Sequence, residues 1–318
     1  MRSNKFRLYV AALILVIAMM LLLACAPAAE NTATDTITFT DTFGREVNVK
    51  KNPERVAALL GSFADIWVLS GGELCASAED AWEDFELDLG DAVNIGGAHS
   101  PSIELLISAD PDFVIASAST ASNVEMKETL EAMGITVAYF DVDNFDDYLH
   151  MLNICTDITG RKDLYEQNGI VIKSQIDDIK ARYSEADIPA GQRKILLLRA
   201  ASSFVKAKGS SGTVLGEMLH DMGCINIADS NTSLLENLSV EAIIREEPYH
   251  IFVVTMGSDT EAAKQSLENL IKENPALSTL DAVKNGRLHV MDKTLFNLKP
   301  NARWAESYGI LYDKLTKK

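Results

Sequence analysis

Histidine is scarce in this chain of 318 residues, and the five present, His99, His150, His220, His250 and His289, never fall three or four positions apart. No H-E-x-x-H helix is therefore encoded, and no C-x-x-C pair occurs, so neither of the common local metal motifs is present. A bare zinc or manganese site built from distant histidines stays open as an alternative. Cysteine is nearly as sparse: beyond Cys25 only Cys75, Cys155 and Cys224 remain, widely spaced, so at most one disulfide can form and one thiol is left over. Buried free thiols are the simpler expectation. There is no G-x-S-x-G elbow for a serine nucleophile. Gly209-Ser-Ser-Gly-Thr-Val-Leu-Gly216 lacks the Gly-Lys-Ser/Thr ending of a phosphate-binding loop and reads as a turn into a helix. Positive charge is short as well, with 29 Lys and Arg against 46 Asp and Glu and a net charge of −17. That balance argues against nucleic acid and suits a soluble domain on an outer face.

What is present begins with an address. Arg2, Lys5 and Arg7 precede an apolar run from Leu8 to Ala24, and Cys25 follows directly, with Ala26-Pro27-Ala28-Ala29 beyond. A basic flank, an apolar core and small residues at the cut describe a secretory signal over residues 1–24, the alternative being a membrane-spanning anchor. Leu22-Leu23-Ala24-Cys25 resembles the bacterial lipobox, which implies acylation of Cys25, cleavage before it and a stable tether once two or more chains are attached. Loss of the three signal cations would bring the exported chain to −20. Residues 25–36 are small and polar and read as a flexible tether.

From residue 37 onward the pattern is alternation. Ile37–Thr40 and Glu46–Val49 alternate apolar with polar around a turn at Gly44, a hairpin signal. Arg55–Leu60 reads as a strand and Phe63–Leu69 as a helix, with a glycine turn between them. A helix over Pro101–Ser108, a strand at Phe113–Ala116, a helix over Val124–Met133 and a strand at Thr136–Phe140 complete a first α/β lobe, residues 37–143. Residues 144–185 are helical with one break at Thr159-Gly160, and even half of that length reaches about 30 Å, enough for a stiff spine. Alternation resumes in a second lobe, residues 186–318, with strands at Lys194–Leu198, His250–Thr255 and Arg287–Met291 and helices over Gly212–Met222 and Val240–Glu246. Strands alternating with helices imply parallel sheets covered on both faces.

The two lobes repeat one another. Ser102, Glu104 and Pro111 fall at the same offsets as Ser239, Glu241 and Pro248, with apolar residues matching between and after. In each copy serine sits at an N-cap, glutamate in the first turn where the helix dipole favours an anion, and proline ends the helix before a strand. Local capping by itself would also place glutamate there.

These segments, together with Thr42-Phe-Gly-Arg-Glu-Val47, Asn52-Pro-Glu-Arg-Val56, Lys206-Ala-Lys-Gly209, Gly216-Glu-Met-Leu219 and Lys299-Pro-Asn-Ala-Arg-Trp304, resemble the helical-backbone substrate-binding proteins of ABC importers for iron–siderophores, haem and corrinoids. The resemblance covers nearly the whole chain after the tether. It implies two Rossmann-like lobes joined by a helical backbone, no covalent chemistry, no resident cofactor or metal, and a ligand held in the cleft between the lobes. The implied ligands are a ferric siderophore, haem or cobalamin. It also implies a monomer, tethered at the extracellular or periplasmic face of the cell membrane, that docks on a permease dimer through one surface glutamate per lobe, here Glu104 and Glu241. One exposed carboxylate per lobe would set register on two related subunits.

Because loops after parallel strands converge on such a cleft, the ligand-site candidates of the first lobe are Ser62, Phe63, Trp82, His99 and Ser117. Those of the second are Arg199, Lys206, Lys208, Met256, Lys299, Arg303 and Trp304. The cations stand out in so acidic a chain and would suit an anionic ligand, although each could equally be solvated. Trp82 and Trp304 are either stacking surfaces for a planar ligand or core. Three rival readings remain: the bare-metal receptor, an adhesion or structural lipoprotein without a cleft, and an extracellular hydrolase using Glu104 and Glu241. The last requires the two carboxylates to face each other at about 5 to 9.5 Å, which equivalent positions in two separate lobes do not allow.

Overall fold

Short apolar runs between glycine and proline turns become the strands of two parallel sheets. The computed structural model describes residues 36–257 and 259–317, so the signal segment, Cys25 and the tether up to residue 35 lie outside the described residues. Thr36, placed above in the tether, opens the first strand. Strands β1 (Thr36–Thr40) and β2 (Glu46–Lys50) pair across a turn whose Gly44 has φ 73°. The first lobe continues with β3 (Val56–Ala58), α1 (Gly61–Leu69), β4 (Ala76–Ser77), α2 (Asp80–Glu83) and β5 (Val93–Asn94). It then runs through α3 (Ile103–Ser108), β6 (Phe113–Ser117), α4 (Ala121–Glu125), α5 (Lys127–Ala132) and β7 (Thr136–Phe140). Its sheet is parallel throughout, in the order β5-β4-β3-β6-β7.

Two local expectations are corrected. The helix expected over Val124–Met133 is two short helices meeting at Met126. The first helix starts at Gly61 rather than Phe63, where a Cβ would lie 2.5 Å from the Ala81 nitrogen, so only glycine lets this turn approach α2.

Between the lobes, α6 (Phe145–Thr159) is opened by a capping box of Asn144 and Asp147 and closed by Gly160 in the left-handed conformation. The chain then runs without a break through α7 (Lys162–Tyr165), a π turn (Glu166–Ile170) and α8 (Val171–Glu185), about 36 Å at 1.5 Å per residue. Within the π turn the Asn168 carbonyl accepts from the Tyr148 hydroxyl at 2.7 Å, and the Asn168 side-chain amide donates to the Leu69 carbonyl at 2.9 Å.

The second lobe comprises β8 (Lys194–Ala201), β9 (Phe204–Ala207), α9 (Val214–Asp221), β10 (Ile225–Asn226), α10 (Thr232–Asn237) and α11 (Val240–Glu246). It ends with β11 (His250–Thr255), α12 (Thr260–Glu273), α13 (Asp281–Lys284), β12 (Leu288–Met291), α14 (Lys293–Phe296) and α15 (Trp304–Thr316). Its parallel order β10-β8-β11-β12 copies β4-β3-β6-β7 of the first lobe, and β9 is added antiparallel to β8. In both copies the repeated serine caps its helix, Ser102 accepting from the Leu105 nitrogen and Ser239 from the Ala242 nitrogen.

Burial follows the strand period of two. Ala57, Val114 and Val137 pack on one side of the first sheet, and Leu196, Ile251 and Val253 on one side of the second, each group in its own cluster. The opposite faces, including Ile115, Phe140, Leu197 and Phe252, join one cluster with Tyr148 and Leu152 of α6, Ile176 of α8 and Trp304 and Leu311 of α15. The lobes therefore share a core, and Ile37–Lys318 form a single compact unit. Cys75, Cys155 and Cys224 are all free, and burial pushes the Cys155 and Cys224 thiols up to about 12. Among the described residues no helix is long and apolar enough to cross a membrane.

Trp304 is fully buried, with its ring centroid 5.9 Å from that of Phe145 and 6.5 Å from that of Tyr148. Trp304→Ala should cost about 3–5 kcal/mol in urea unfolding, because the void falls where both lobes meet the helices.

A second expectation concerns pH. His250 Nδ1 and His289 Nε2 are 3.1 Å apart at the amino ends of β11 and β12, and the bond needs one donor and one acceptor, so at least one ring is neutral and the two cannot both be charged. Burial and the neighbouring ring and Arg287 lower His250 to about 4, while burial, Lys314 and Arg287 do the same for His289. Since the unfolded chain binds these protons near 6.5 and the folded one only near 4, stability should fall as pH drops through that window. Thermal unfolding between pH 7 and 4 should show this limb, flattened in His289→Asn.

Candidate ligand-binding cleft

The carboxyl ends of the parallel strands in the two lobes face one another. Three contacts fix this. Lys293 Nζ at the start of α14 pairs with both Asp84 oxygens, at 2.7 and 2.9 Å. The Asn301 amide donates to the Ser62 carbonyl at 2.9 Å and to Asp65 Oδ2 at 2.8 Å. Lys299 Nζ lies 3.5 Å from Asp143 Oδ1. Burial raises the Asp65 carboxyl above its ordinary range, and the bond from Asn301 opposes the rise.

On the second-lobe side the antiparallel β9 gathers positive charge. Arg199 is directly opposite Lys206 in the β8–β9 register, which puts both side chains on one face, and the Lys208 nitrogen bonds the Leu197 carbonyl at 2.9 Å as the chain leaves β9. Arg199 continues the inward row of Ile195 and Leu197 but lies towards the carboxyl end of the strand; the residue is half-buried, and its buried Nε has no hydrogen-bond partner among the described residues. Burial lowers the Arg199 guanidinium while the Asp143 carboxylate pulls the other way; burial, Arg199 and Lys206 lower the Lys208 ammonium. None of the three forms an ion pair among the described residues. Met256, at the end of β11, is exposed, and its nitrogen bonds the Ala200 carbonyl at 2.8 Å, so it borders the same ledge.

The first-lobe side is acidic and hydroxylic. Asp141 and Asp143 follow β7, and Ser119 Oγ donates to Asp141 Oδ1 at 3.0 Å. The Asp141 carboxyl is raised by burial and by Asp143, against the pull of Ser119 and Lys299. Neither aspartate was among the sequence candidates. The signal available for them was position alone, directly after a strand and before the Asn144 cap.

Several candidates are corrected. Phe63 and Trp304 are core, at 1% and 0% exposure, and offer no surface to a ligand. Ser62 is buried in the first turn of α1, and its carbonyl is held by Asn301. The buried Ser117 hydroxyl accepts from the Ser119 and Thr120 nitrogens, each at 3.2 Å, so it shapes the loop instead of facing the cleft. Arg303 does border the hollow beside Lys299, although it is exposed and its guanidinium is matched by both Glu306 oxygens, at 2.7 and 2.9 Å. Trp82 is half-buried against the shared core, and His99 is exposed on the loop after β5. Arg199, Lys206, Lys208 and Lys299 are the candidates that the fold assembles.

A hollow of about 320 Å³ lies beside Lys299, bounded by Asp65, Asp84, Phe85, Pro300 and Arg303. A larger one of about 660 Å³ lies at the amino ends of β4 and β5, lined by Arg55, Cys75 and Asp88. The first is the better candidate despite its size, because there Lys299 and Arg303 of the second lobe face Asp65 and Asp84 of the first. The two histidines that folding brings together, His250 and His289, are at the far end of the second sheet from the cleft. Among the described residues no group of three or more His, Cys, Asp or Glu is placed to hold a metal ion.

Asn301 sits in the left-handed region at φ 49°, which asparagine tolerates better than alanine. Asn301→Ala strands the Asp65 carboxylate and strains the backbone, so chemical denaturation should show a loss of about 1–3 kcal/mol.

Three comparisons bear on this geometry. The sequence profile of the family described as periplasmic binding protein matches residues 56–295. The Fe(3+)-citrate-binding protein YfmC of Bacillus subtilis (strain 168) is 24% identical over 309 residues, covering 92% of each chain. Among solved structures, Staphylococcus aureus SirA complexed with staphyloferrin B superposes with a TM-score of 0.69 at 20% identity, covering 89% of this chain and 99% of that one. S. aureus IsdE complexed with heme gives 0.69 at 16% identity, covering 83% and 99%.

Proposed function

The chain belongs to the periplasmic binding protein family, and from that premise we propose that it is the lipid-anchored receptor of an ABC importer, taking an anionic ferric complex into the cleft between its lobes. The observation that carries the ligand class is the convergence of Arg199, Lys206, Lys208 and Lys299 in a chain whose net charge is −17. Four cations gathered on one wall of a cleft are completed by an anionic ligand, and carboxylates are matched by guanidinium and ammonium donors. A relative named for binding Fe(3+)-citrate supports a carboxylate-rich iron complex ahead of haem or a corrinoid. The iron is cargo, and the protein's part is recognition without bond making or breaking.

Docking on the permease is assigned to Glu104 and Glu241. Both are exposed in the first turn of a serine-capped helix, α3 and α11, and the two helices hold equivalent places in the duplicated sheet order. Glu104's own backbone amide, and then the Ser102 hydroxyl, whose Oγ donates to Glu104 Oε2 at 3.0 Å, keep its carboxyl below the usual range. The proposed tether at Cys25 holds the receptor at the membrane while leaving both glutamates free to meet two permease subunits.

The reading is tested by titrating protein lacking residues 1–25 with ferric citrate, ferric siderophores, haemin and cobalamin while following tryptophan fluorescence. Trp67 and Trp304 are buried, so the response should come through the half-buried Trp82. Saturable quenching by a carboxylate-rich ferric complex at submicromolar concentration is the expected result, whereas a flat response to all four classes rejects the ligand assignment. Glu104→Lys with Glu241→Lys should abolish uptake in cells and leave ligand affinity within about twofold. A parallel fall in affinity would remove the docking role.

A further inference from the structure

The two ion pairs that cross the cleft differ in kind. Lys293 is fully engaged by Asp84, at 2.7 and 2.9 Å, and works as a fixed tie between the lobes. Lys299 and Asp143 stand 3.5 Å apart, with their side chains 19% and 30% exposed, longer than the 2.7–2.9 Å of a charge-assisted hydrogen bond. Asp143 is nonetheless held in place, because its own nitrogen donates to Asp147 Oδ2 at 3.1 Å and so ties it to the cap of α6. Across from it the half-buried Arg199 has no closer carboxylate.

We propose that Asp143 is the built-in counterion of the cleft, offering Lys299 and Arg199 the carboxylate that a ligand must displace, and thereby selecting polyanions over singly charged ones. The inference rests on the cleft being the ligand site. A monocarboxylate that replaces Asp143 on Lys299 exchanges one carboxylate for another and gains little. A ligand with several carboxylates reaches Lys299 and also Arg199, Lys206 and Lys208, so only it recovers more than it displaces. Asp141 lies on the same side, where its carboxylate is held by Ser119 at 3.0 Å instead of by a cation of the cleft. Asp143 is thus a specificity-determining residue that acts by occupying the cations, a fixed cost that a ligand with one carboxylate does not recover.

The test is Asp143→Asn, which keeps the side-chain shape and the backbone bond to Asp147 while removing the charge. Citrate and ferric citrate are titrated by calorimetry at low and high ionic strength. The variant should bind both about tenfold more tightly at low salt, with the gain shrinking as salt rises. Unchanged or weaker binding, or a gain that salt does not touch, overturns the proposal.

A second readout needs no ligand. Asp143→Asn should lower the thermal unfolding midpoint at low salt by leaving Lys299 and Arg199 uncompensated, and adding Lys299→Gln should restore it. No drop, or a drop that Lys299→Gln does not restore, also overturns the proposal. If the parent protein ignores both citrate and ferric citrate, the receptor assignment falls and this second readout decides the counterion role alone.

Discussion

Everything in this structure depends on one apolar cluster that does not stop at the boundary between lobes. Inward faces of both sheets, the helices of the connecting segment and the last helix bury against each other through Phe140, Tyr148, Leu152, Phe252 and Trp304. Burying these side chains stabilises the fold by roughly 1.5–3 kcal/mol each. Because they belong to neither lobe alone, the lobes cannot separate without exposing them. A receptor held this way keeps its cleft nearly preformed, in contrast to one whose lobes are linked only by flexible strands. The fixed Lys293–Asp84 tie and the Asn301 bonds to Ser62 and Asp65 act in the same direction on the cleft side.

The duplicated architecture explains where function collects. Each lobe runs its strands parallel, so each has one end where all the loops after the strands emerge, and the connecting helices turn those two ends toward each other. The second lobe departs from the copy by inserting β9, and that insertion brings Lys206 opposite Arg199 and leads into Lys208. The difference between the copies is thus where the positive side of the cleft comes from. The likeness between them leaves Glu104 and Glu241 as matched carboxylates on α3 and α11.

Electrostatics in the cleft are arranged with opposite signs on opposite walls. Asp141 and Asp143 line the first-lobe wall, and Arg199, Lys206, Lys208 and Lys299 the other, within a protein that is acidic elsewhere. Such an arrangement lets the site carry unpaired positive charge toward a ligand without a large cost in the free protein, since the facing acids screen part of it.

The sequence by itself determined the α/β class, most strand positions, the helical segment with its break at Gly160 and the two serine caps. All of these follow from local periodicity and capping chemistry, which adjacent residues decide among themselves. It also singled out the cations of the cleft, because in so acidic a chain each lysine or arginine after a strand is informative. What it could not decide was which way a side chain faces at a strand or helix end. Phe63, Ser117 and Trp304 stand at the ends of a helix, a strand and a helix that border the cleft but turn inward, and Asp143 turns toward Lys299, 156 positions away in the chain. Only the packing of the two lobes on their shared helices settles those orientations, since burial and pairing across the cleft are properties of the assembled core and not of any stretch of sequence.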